Sequence, residues 1–288
     1  MVASDVRERY AEEISTNTHL TSPDLLKAFA AVPREEFVGS GPWKVLSRVP
    51  GQMQPQVADV TDPAELYRDV AILLDPSRSL TNGNPGILAP WLDALNLSAG
   101  KSVFHLGCGT GYYTAIMAEM VGPRGRITAV EIDPALAARA RANLSRYSDV
   151  EVVQGEGGTM DTGLTDAILI NAGVTHARES WLDNLQLAGA LVLPLTVEFG
   201  MPHLGKGMVL RVSRLQSGYS ANFLPVPVMI YSCSSVRNPE FGSLLSEPFM
   251  SGTFSSVRSL RRDLHSSEPD CWLHTPTYCL STRPLIYS

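Results

Sequence analysis

Long apolar runs, cysteine pairs and clusters of basic residues are all missing from this sequence. No apolar stretch approaches the ~20 residues that a membrane-spanning helix requires. The segment from Met1 to Tyr10 is polar and charged, which is unlike a secretory signal. We therefore expect a cytoplasmic protein without a membrane partner.

Cysteine is scarce, and its spacing differs from that of common zinc sites. The chain has neither a CxxC pair nor a CxxC/HxxxH pattern, and its four cysteines are Cys108, Cys233, Cys271 and Cys279. The last two would pair only in an oxidising compartment, so reduced thiols are expected in the cytoplasm. The sequence thus predicts no bound metal.

Charged residues are few, and acidic residues outnumber basic ones. The 23 Lys and Arg face 29 Asp and Glu, a net charge of −6, and the short basic stretch from Arg258 to Arg262 lies beside acidic residues. Because an acidic protein is not attracted to a phosphate backbone, we expect no nucleic-acid partner. The 288 residues, 44% of them hydrophobic, suffice for one sizeable core with small additions.

Strand and helix patterns alternate in the middle of the chain. Apolar strand segments are expected at 102–106, 126–131, 150–154, 167–170 and 190–195, with helices at 113–121, 134–146 and around Trp181 to Leu185. This alternation predicts a Rossmann-like α/β fold whose mostly parallel sheet has helices on both faces. Two further strands, 208–215 and 223–232, predict an antiparallel C-terminal hairpin.

The flanking segments are less regular. We expect helices in residues 1–45, with a helix start at Ser22, and a loop over 46–65. A turn at 81–85 precedes another expected helix, and residues 240–288 are interpreted as an appended segment of uncertain order. Three parts are predicted: an N-terminal cap (1–78), a cofactor-binding domain (79–235) and a C-terminal extension (236–288).

A glycine-rich loop follows the first central strand and opens a helix. The sequence from His105 to Gly111 contains glycines at 107, 109 and 111, which allow a tight turn and close approach of a ligand. A dinucleotide loop requires its third glycine at position 112, which is Tyr112 here, so NAD and FAD are disfavoured. Cys108 lies inside the loop without an activating partner and is interpreted as a packing residue.

Acidic residues end the next two strands. Glu131 lies 131 − 111 = 20 residues beyond the loop, where a carboxylate accepts both ribose hydroxyls of an adenosyl cofactor. Ile132 and Asn171 are expected at the same site, and Glu156, between Gly155 and Gly157, is placed to accept from the adenine amino group. The alternatives are an ordinary polar strand end for Glu131 and an acidic turn for Glu156.

Several blocks together resemble the protein-L-isoaspartate O-methyltransferase family. They are Val32 to Val38 (VPREEFV), Leu66 to Asp69 (LYRD), the glycine loop, Val130-Glu131, Gly155 to Gly157, Gly189 to Pro194 and Phe223 to Val226. The resemblance covers roughly residues 20–230 and implies a seven-stranded methyltransferase sheet. It also implies S-adenosylmethionine as the cofactor, S-adenosylhomocysteine as its product, and a peptide or protein substrate bearing a carboxylate.

The resemblance places the segment Thr81, Asn82, Gly83 and Asn84 over the reacting groups. Gly83 stands where the family has a serine thought to contact the substrate carboxylate. The amides of Asn82 and Asn84 would hold the carboxylate instead, or the Asn-Gly pair only makes a turn. His105 replaces an acidic residue of the family, and it is either a cofactor contact or a buried strand-end histidine.

Three functions remain open at this point. The first is carboxyl O-methylation of an isoaspartyl or aspartyl residue, which needs no general base because the carboxylate is already ionised. The second keeps the fold but methylates another peptide or a small metabolite selected by the extension. In that case His176 would be a base for a hydroxyl or amine acceptor, or else an ordinary loop histidine. The third is cofactor binding without catalysis.

Overall fold

The computed structural model describes residues 2–47, 55–198, 200 and 203–285. Its α-helices are α1 (Ser4–Thr18), α2 (Pro23–Ala31), α3 (Pro85–Ala94), α4 (Tyr112–Val121), α5 (Pro134–Asn143), α6 (Glu179–Asn184) and α7 (Pro239–Ser251). Its strands are β1 (Trp43–Ser47), β2 (Gln56–Val60), β3 (Ala71–Asp75), β4 (Leu80–Thr81), β5 (Ser102–Leu106), β6 (Arg126–Glu131), β7 (Val150–Gln154), β8 (Thr165–Ile170), β9 (Leu185–Glu198), β10 (Leu204–Leu215), β11 (Gly218–Tyr231), β12 (Ser259–Arg261), β13 (Cys271–His274) and β14 (Cys279–Ser281).

The chain forms two compact units. The first contains Met1–Gly100 and Cys108–Gly155, and the second contains Lys101–Gly107 and Glu156–Ser288. In the first unit an antiparallel sheet has the order β2-β1-β3-β4, and β6 pairs with β7 in parallel. The helices α1 to α5 belong to this unit, which therefore supplies the start of the glycine-loop helix α4 and the acidic end of β6.

The second unit is built on one mixed sheet. Its strand order is β13-β14-β12-β11-β10-β9-β8-β5, in which β5, β8 and β9 are parallel and the strands from β10 onwards are antiparallel. The β10–β11 hairpin closes at Leu215 opposite Gly218, so the predicted hairpin is confirmed. Helices with parallel and antiparallel strands confirm the α/β class.

Local chemistry explains the helix starts that the sequence predicted. Ser22 accepts a hydrogen bond from the Leu25 amide at 3.2 Å, and Asp133 accepts from two amides at the start of α5 at 2.8 and 3.0 Å. Helix α4 is apolar on all sides and buried along nearly its whole length, as expected for a central helix. Within the described ranges, no helix combines the length and apolar character needed to cross a bilayer.

The expected loop over residues 46–65 is wrong in part. Strand β2 lies in this segment and pairs with β1 from Val60 opposite Trp43 to Gln56 opposite Ser47. Four of the five β2 residues are exposed, so no apolar alternation marks the strand in the sequence. The part of this expectation that concerns residues 48–54 lies outside the described residues.

Two helix ends also differ from expectation. Helix α5 ends at Asn143 rather than near 146, and α6 ends at Asn184 because Leu185 begins β9. The periodic placement of apolar residues extends past both helix ends. Leu144 and Leu185 are buried like the helix residues before them, although they lie in a turn and a strand. Periodic burial alone therefore does not define where a helix stops.

The C-terminal extension is folded, where the sequence left its order open. It forms α7 and the three short strands β12 to β14, which continue the sheet of the second unit. Trp272, Tyr278 and Leu280 in this extension are buried. The division of the chain at residues 78 and 235 stays a prediction.

Candidate active site

The loop that follows β5 has three glycines with left-handed backbone conformations, Gly107, Gly109 and Gly111. Gly107 has φ +78°, and a Cβ there would lie 2.9 Å from the carbonyl oxygen of Asn171, so a side chain is excluded by the backbone. Gly109 has φ +59°, and a Cβ there would meet nothing within 4 Å. The first glycine is thus required for packing, while the second faces open space that suits a ligand.

Glu131 is fixed beside this loop through both carboxylate oxygens. Its Oε2 accepts from the Gly109 amide at 2.8 Å and its Oε1 accepts from the Asp133 amide at 3.0 Å. The residue is only 7% exposed, and each oxygen keeps a lone pair for one more donor. The next residue, Ile132, is 57% exposed and offers an apolar surface. A fixed carboxylate beside an apolar patch fits the ribose and ring of an adenosyl group.

Cys108 contributes to the fold of the loop rather than to its reactivity. Its amide donates to the Val130 carbonyl at 3.2 Å, and its carbonyl accepts from the Gly111 amide at 2.9 Å. Burial, and then the charge of Glu131, raise the pKa of the Cys108 thiol, which stays protonated. A protonated, buried thiol is a packing residue and a poor nucleophile.

The second unit contains the other predicted cofactor residues. Asn171 donates through its side-chain amide to the Gly107 carbonyl at 3.1 Å. Glu156 accepts through Oε1 from the Ser235 hydroxyl at 2.7 Å and from the Gly158 amide at 3.2 Å. The buried Gly157 lies between these groups in the chain. Their contact with the cofactor stays a prediction.

His105 is fully buried in β5. Burial lowers its pKa to about 3, so the ring is neutral at physiological pH. This matches the alternative of a buried strand-end histidine, and its role as a cofactor contact stays a prediction. A neutral ring does not replace the negative charge that the family has at this position.

Arg34 organises the segment that was expected to cover the acceptor. It is completely buried in the first unit, and its Nη1 donates to the carbonyls of Leu66 at 2.6 Å and Arg68 at 3.1 Å. Its Nη2 donates to the Val70 carbonyl at 2.6 Å and, at 3.4–3.5 Å, to the Gly83 carbonyl and the Asn82 side-chain oxygen. One guanidinium thus joins three separate blocks of the family resemblance.

The amides of the two asparagines have different surroundings. The Oδ1 of Asn82 accepts from the Ile72 amide at 2.9 Å, and its Nδ2 is buried with no partner among the described residues. The Nδ2 of Asn84 donates to the Asp69 carbonyl at 3.2 Å. The Asp69 carboxylate in turn accepts from the Gly86 amide at 2.6 Å. Asn84 therefore helps to fix the start of α3, and Asn82 has two donor hydrogens to offer.

Gly83 lies against the first turn of the glycine-loop helix. It has φ +83°, and a Cβ there would come within 3.1 Å of the Tyr113 ring. The Tyr113 hydroxyl is buried without a hydrogen-bond partner in the described part of the chain. Burial raises its pKa well above the usual value, so the hydroxyl remains a donor. A serine at position 83 would be strained, which explains why glycine stands there.

Two further contacts define this segment. Thr81 accepts through Oγ1 from the Gly83 amide at 3.3 Å, which tightens the turn. Arg78, three residues earlier, donates to the Asp133 carboxylate at 2.5 Å. Because Asp133 follows Glu131 closely and caps α5, this ion pair ties the segment to the start of that helix.

His176, considered as a base for another acceptor, is engaged in packing. Its ring stacks on Phe241 at 4.4 Å between centroids, and its Nδ1 lies 3.0 Å from the Thr175 hydroxyl. Burial, and then the charge of Arg178, lower its pKa. These contacts favour the ordinary role for this histidine.

Sequence reasoning missed Arg34, Asp69 and Tyr113 as parts of this site. Arg34 and Asp69 lie within blocks that resemble the family. No physical role for either residue could be predicted from those blocks. Tyr113 was counted only as a helix residue. Local sequence spacing does not reveal that the buried Arg34 donates to carbonyls more than 30 residues away in the chain.

A glycine turn that opens a buried helix, a fixed carboxylate at the end of the next strand and an antiparallel hairpin define a Rossmann-like methyltransferase. A Plasmodium falciparum protein, assigned as a protein-L-isoaspartate O-methyltransferase and solved in complex with S-adenosyl-L-homocysteine, has a similar fold. The TM-score is 0.57 at 16% sequence identity, and the match covers 79% of this chain and 97% of that chain.

Sequence relatives identify the family. The sequence profile of the protein-L-isoaspartate(D-aspartate) O-methyltransferase family matches residues 7–204. The protein-L-isoaspartate O-methyltransferase of Ignicoccus hospitalis is 33% identical over 144 residues, 49% of this chain and 67% of that protein. That of Methanopyrus kandleri is 31% identical over 194 residues, 66% of this chain and 76% of that protein. The chain belongs to the protein-L-isoaspartate O-methyltransferase family and is an S-adenosylmethionine-dependent methyltransferase.

Proposed function

We propose that this chain methylates the side-chain carboxylate of an isoaspartyl or aspartyl residue in a peptide or protein. The observation that carries the proposal is a pair of buried, unpartnered donors: the Nδ2 of Asn82, next to Gly83 in the chain, and the hydroxyl of Tyr113, whose ring lies against Gly83. Both donors belong to the first unit, and the absence of partners refers to the described residues. Family membership supports the same reaction.

The chemistry of these donors favours an anion. An unsatisfied buried donor costs ~1–3 kcal/mol, so a ligand that supplies acceptors is favoured there. The Ile72 backbone amide donates to the Asn82 Oδ1 and fixes the orientation of this side chain. The Asn82 Nδ2 therefore offers only donor hydrogens. A carboxylate has acceptors on both oxygens and requires no base to become a nucleophile. The donors therefore replace the serine hydroxyl that is missing at Gly83.

The proposed cofactor residues come from both units. Glu131 would accept from the ribose hydroxyls, the Gly109 amide and its open side would border the cofactor, and Ile132 would contact the ring. We further propose His105, Gly107, Cys108, Gly111, Gly155, Glu156, Gly157 and Asn171 as cofactor contacts. When bound, S-adenosylmethionine supplies an electrophilic methyl group, and S-adenosylhomocysteine is the product. We also propose a cytoplasmic protein without a nucleic-acid partner. Its sheet would have the seven-stranded arrangement that the resemblance implies.

The cofactor part is tested by calorimetric titration with S-adenosylhomocysteine. The change Glu131→Gln removes a charged acceptor worth ~1.5–3 kcal/mol, so affinity should fall roughly 10- to 100-fold. The matched control is Glu151→Gln, on the exposed side of β7, which should bind like the unaltered chain. Equal affinity of the Glu131 variant and the control would remove Glu131 from the cofactor site.

The acceptor part is tested with methyl-labelled cofactor and two peptides that differ only in an isoaspartyl or an aspartyl residue. Base-labile methyl esters should form on at least one of them. Asn82→Asp keeps the oxygen that binds Ile72 but places a negative charge beside the acceptor. Opposed like charges cost several kcal/mol, so kcat/KM should fall about 100-fold or more while S-adenosylhomocysteine affinity stays unchanged. Asn96→Asp, at an exposed turn, is the control.

The outcomes separate the remaining alternatives. Tight cofactor binding with no ester on either peptide would support binding without catalysis. Esters on other peptides or metabolites, lost when the extension is disturbed, would support a different acceptor. An Asn82→Asp variant as active as the Asn96→Asp control would contradict the assignment of Asn82.

A further inference from the structure

Four potential metal ligands meet in the C-terminal extension. They are His265, on the loop after β12, Cys271 and His274 on β13, and Cys279 on β14. One ligand atom from each lies within 4.8 Å of all the others. All four belong to the second unit, and the residues range from half-buried to buried. Nothing in the methyl-transfer chemistry uses this cluster.

We propose that this Cys₂His₂ cluster is a structural zinc site. Tetrahedral zinc, with Zn–S near 2.3 Å and Zn–N near 2.0–2.1 Å, separates neighbouring ligand atoms by roughly 3.3–3.8 Å. The Sγ of Cys271 lies 3.5 Å from the Nε2 of His265, within that range. Two thiolates and two imidazoles balance the charge of a divalent ion, and soft ligands select zinc over magnesium or calcium.

The two histidines are oriented as ligands require. The Nδ1 of His265 lies 2.8 Å from the Asp263 carbonyl oxygen, so Nδ1 carries the proton and Nε2 keeps its lone pair facing Cys271. Such a carbonyl behind the ring is the usual partner of a zinc-bound histidine. The Nδ1 of His274 is buried with no partner in the ranges that the structure describes. A bound metal ion would satisfy it.

The two thiols are also arranged for metal binding. The Glu268 amide donates to the Cys271 sulfur at 3.3 Å, a contact that stabilises a thiolate. Cys279 is the buried member of the cluster, and a thiol must lose its proton to bind zinc. Zinc binding at such a pair is therefore expected to release protons and to weaken in acid.

The cluster lies among short strands at the edge of the second unit's sheet. Strands β12, β13 and β14 have only three or four residues each, and His274 lies opposite Cys279 across the β13–β14 ladder. Arg261 holds the connecting loop from the other side, with ion pairs to Asp263 at 2.7 Å and Glu268 at 3.1 Å. Zinc would thus join two short strands, β13 and β14, and the loop that contains His265, the usual role of a structural metal in a small module.

The spacing explains why the sequence predicted no metal. The ligands follow the pattern H-x5-C-x2-H-x4-C, in which histidines and cysteines alternate, so cysteine spacing alone gives no signal. Antiparallel pairing of β13 with β14 and the return of the 262–268 loop bring the four together.

The test measures metal content in the full chain, purified with reductant and with zinc in the medium. We expect one zinc per chain by elemental analysis, and replacement by cobalt should produce thiolate charge-transfer bands and the intense visible absorption of tetrahedral Co²⁺. Cys271→Ser and His274→Gln should lose bound zinc after dialysis. Cys233→Ser and His19→Asn, which change one cysteine and one histidine outside the cluster, should keep it.

A second variant guards against simple misfolding. Cys279→His retains four ligand atoms, so it should still bind cobalt, with weaker charge-transfer bands because one thiolate is lost. Chelation should lower the thermal midpoint of the unaltered chain and leave that of Cys271→Ser unchanged. The proposal is overturned by a folded chain that takes up no zinc. It is equally overturned by variants that bind as much zinc as the controls, or by a Cys271–Cys279 disulfide under these reducing conditions. None of these outcomes depends on methyl transfer.

Discussion

At the scale of single residues, Arg34 shows how one buried charge positions a binding segment. Its guanidinium satisfies three carbonyls at 2.6–3.1 Å, and it reaches the Gly83 carbonyl at 3.4 Å. We therefore treat it as a positioning residue. A lysine has one ammonium in place of the planar fork and cannot reach the same set of carbonyls.

Arg34→Lys should lower the free energy of unfolding by about 3 kcal/mol, because breaking a buried charge network is strongly destabilising. Urea denaturation measures the loss. For the fraction that folds, the acceptor KM should rise more than kcat changes, while S-adenosylhomocysteine affinity is retained. Arg9→Lys, on the exposed face of α1, is the control. Similar denaturation midpoints for both variants would show that the Arg34 network has no positioning role.

His105 predicts a dependence of stability on pH. Burial lowers its pKa from 6.5 to about 3, so the folded chain stays neutral there while the unfolded chain takes up a proton below pH 6.5. The unfolded state binds more protons in that window, so this residue reduces stability as pH falls from 6.5 towards 3. The slope is about 1.4 kcal/mol per pH unit.

The check compares the unaltered chain with His105→Gln at pH 7 and pH 5. Between these values the unaltered chain should lose about 2 kcal/mol more than the variant, whatever constant offset the substitution introduces. Urea denaturation at each pH supplies the two differences. Identical losses would mean that His105 titrates alike in the folded and unfolded states.

At the level of single elements, the glycine loop contains one glycine that packing requires and another, Gly109, that faces open space suited to a ligand. Gly109 and Gly100 both have left-handed φ angles, +59° and +83°, and a Cβ at either would meet nothing within 4 Å. Replacing either glycine by alanine should therefore introduce a similar backbone strain of ~1–2 kcal/mol. The amide of Gly109 donates to the Glu131 carboxylate, whereas that of Gly100 donates to the Val121 carbonyl.

Gly109→Ala should lower S-adenosylhomocysteine affinity at least tenfold, about 1.4 kcal/mol, in a titration calorimeter. Gly100→Ala should bind normally although its thermal midpoint falls by a comparable amount. Equal affinity for the two variants would show that the space above Gly109 is not used by the cofactor.

At the scale of the whole molecule, the C-terminal extension is part of the second unit's core. Trp272 is 8% exposed, its ring lies 5.0 Å from that of Phe223 on β11 and 5.8 Å from that of Phe249 on α7, and its Nε1 donates to Thr253 at 3.1 Å. These contacts join the extension to the hairpin of the family domain. The extension is therefore expected to unfold together with that hairpin.

Trp272→Ala should destabilise the chain by ~3–5 kcal/mol, because it removes a large buried side chain and leaves a cavity. Met250→Ala, at a residue that is 88% exposed on α7, should change stability by less than about 0.5 kcal/mol. Chemical denaturation followed by far-ultraviolet circular dichroism measures both. A Trp272 variant as stable as the Met250 variant would show that the extension is only loosely attached.

Features that depend on neighbours in the chain could be predicted from the sequence. Helix starts at Ser22 and Asp133 and the strand β6 that ends at Glu131 follow from local hydrogen bonding and side-chain periodicity. The resemblance to the family rested on short blocks, and it is confirmed. Most of the candidate cofactor site was accessible in this way because its residues lie at the ends of periodic, apolar strands.

Features that depend on distant segments arise only when the chain folds, so they could not be predicted from the sequence. Distant segments supply the carbonyls around Arg34 and bury the Asn82 Nδ2, which has no partner within the described residues. They also bring together His265, Cys271, His274 and Cys279. Strand β2 escaped prediction because its exposed side chains carry no pattern, although its backbone pairs with β1. Local spacing encodes hydrogen bonds within a few residues, whereas these contacts are selected by the packing of the folded chain.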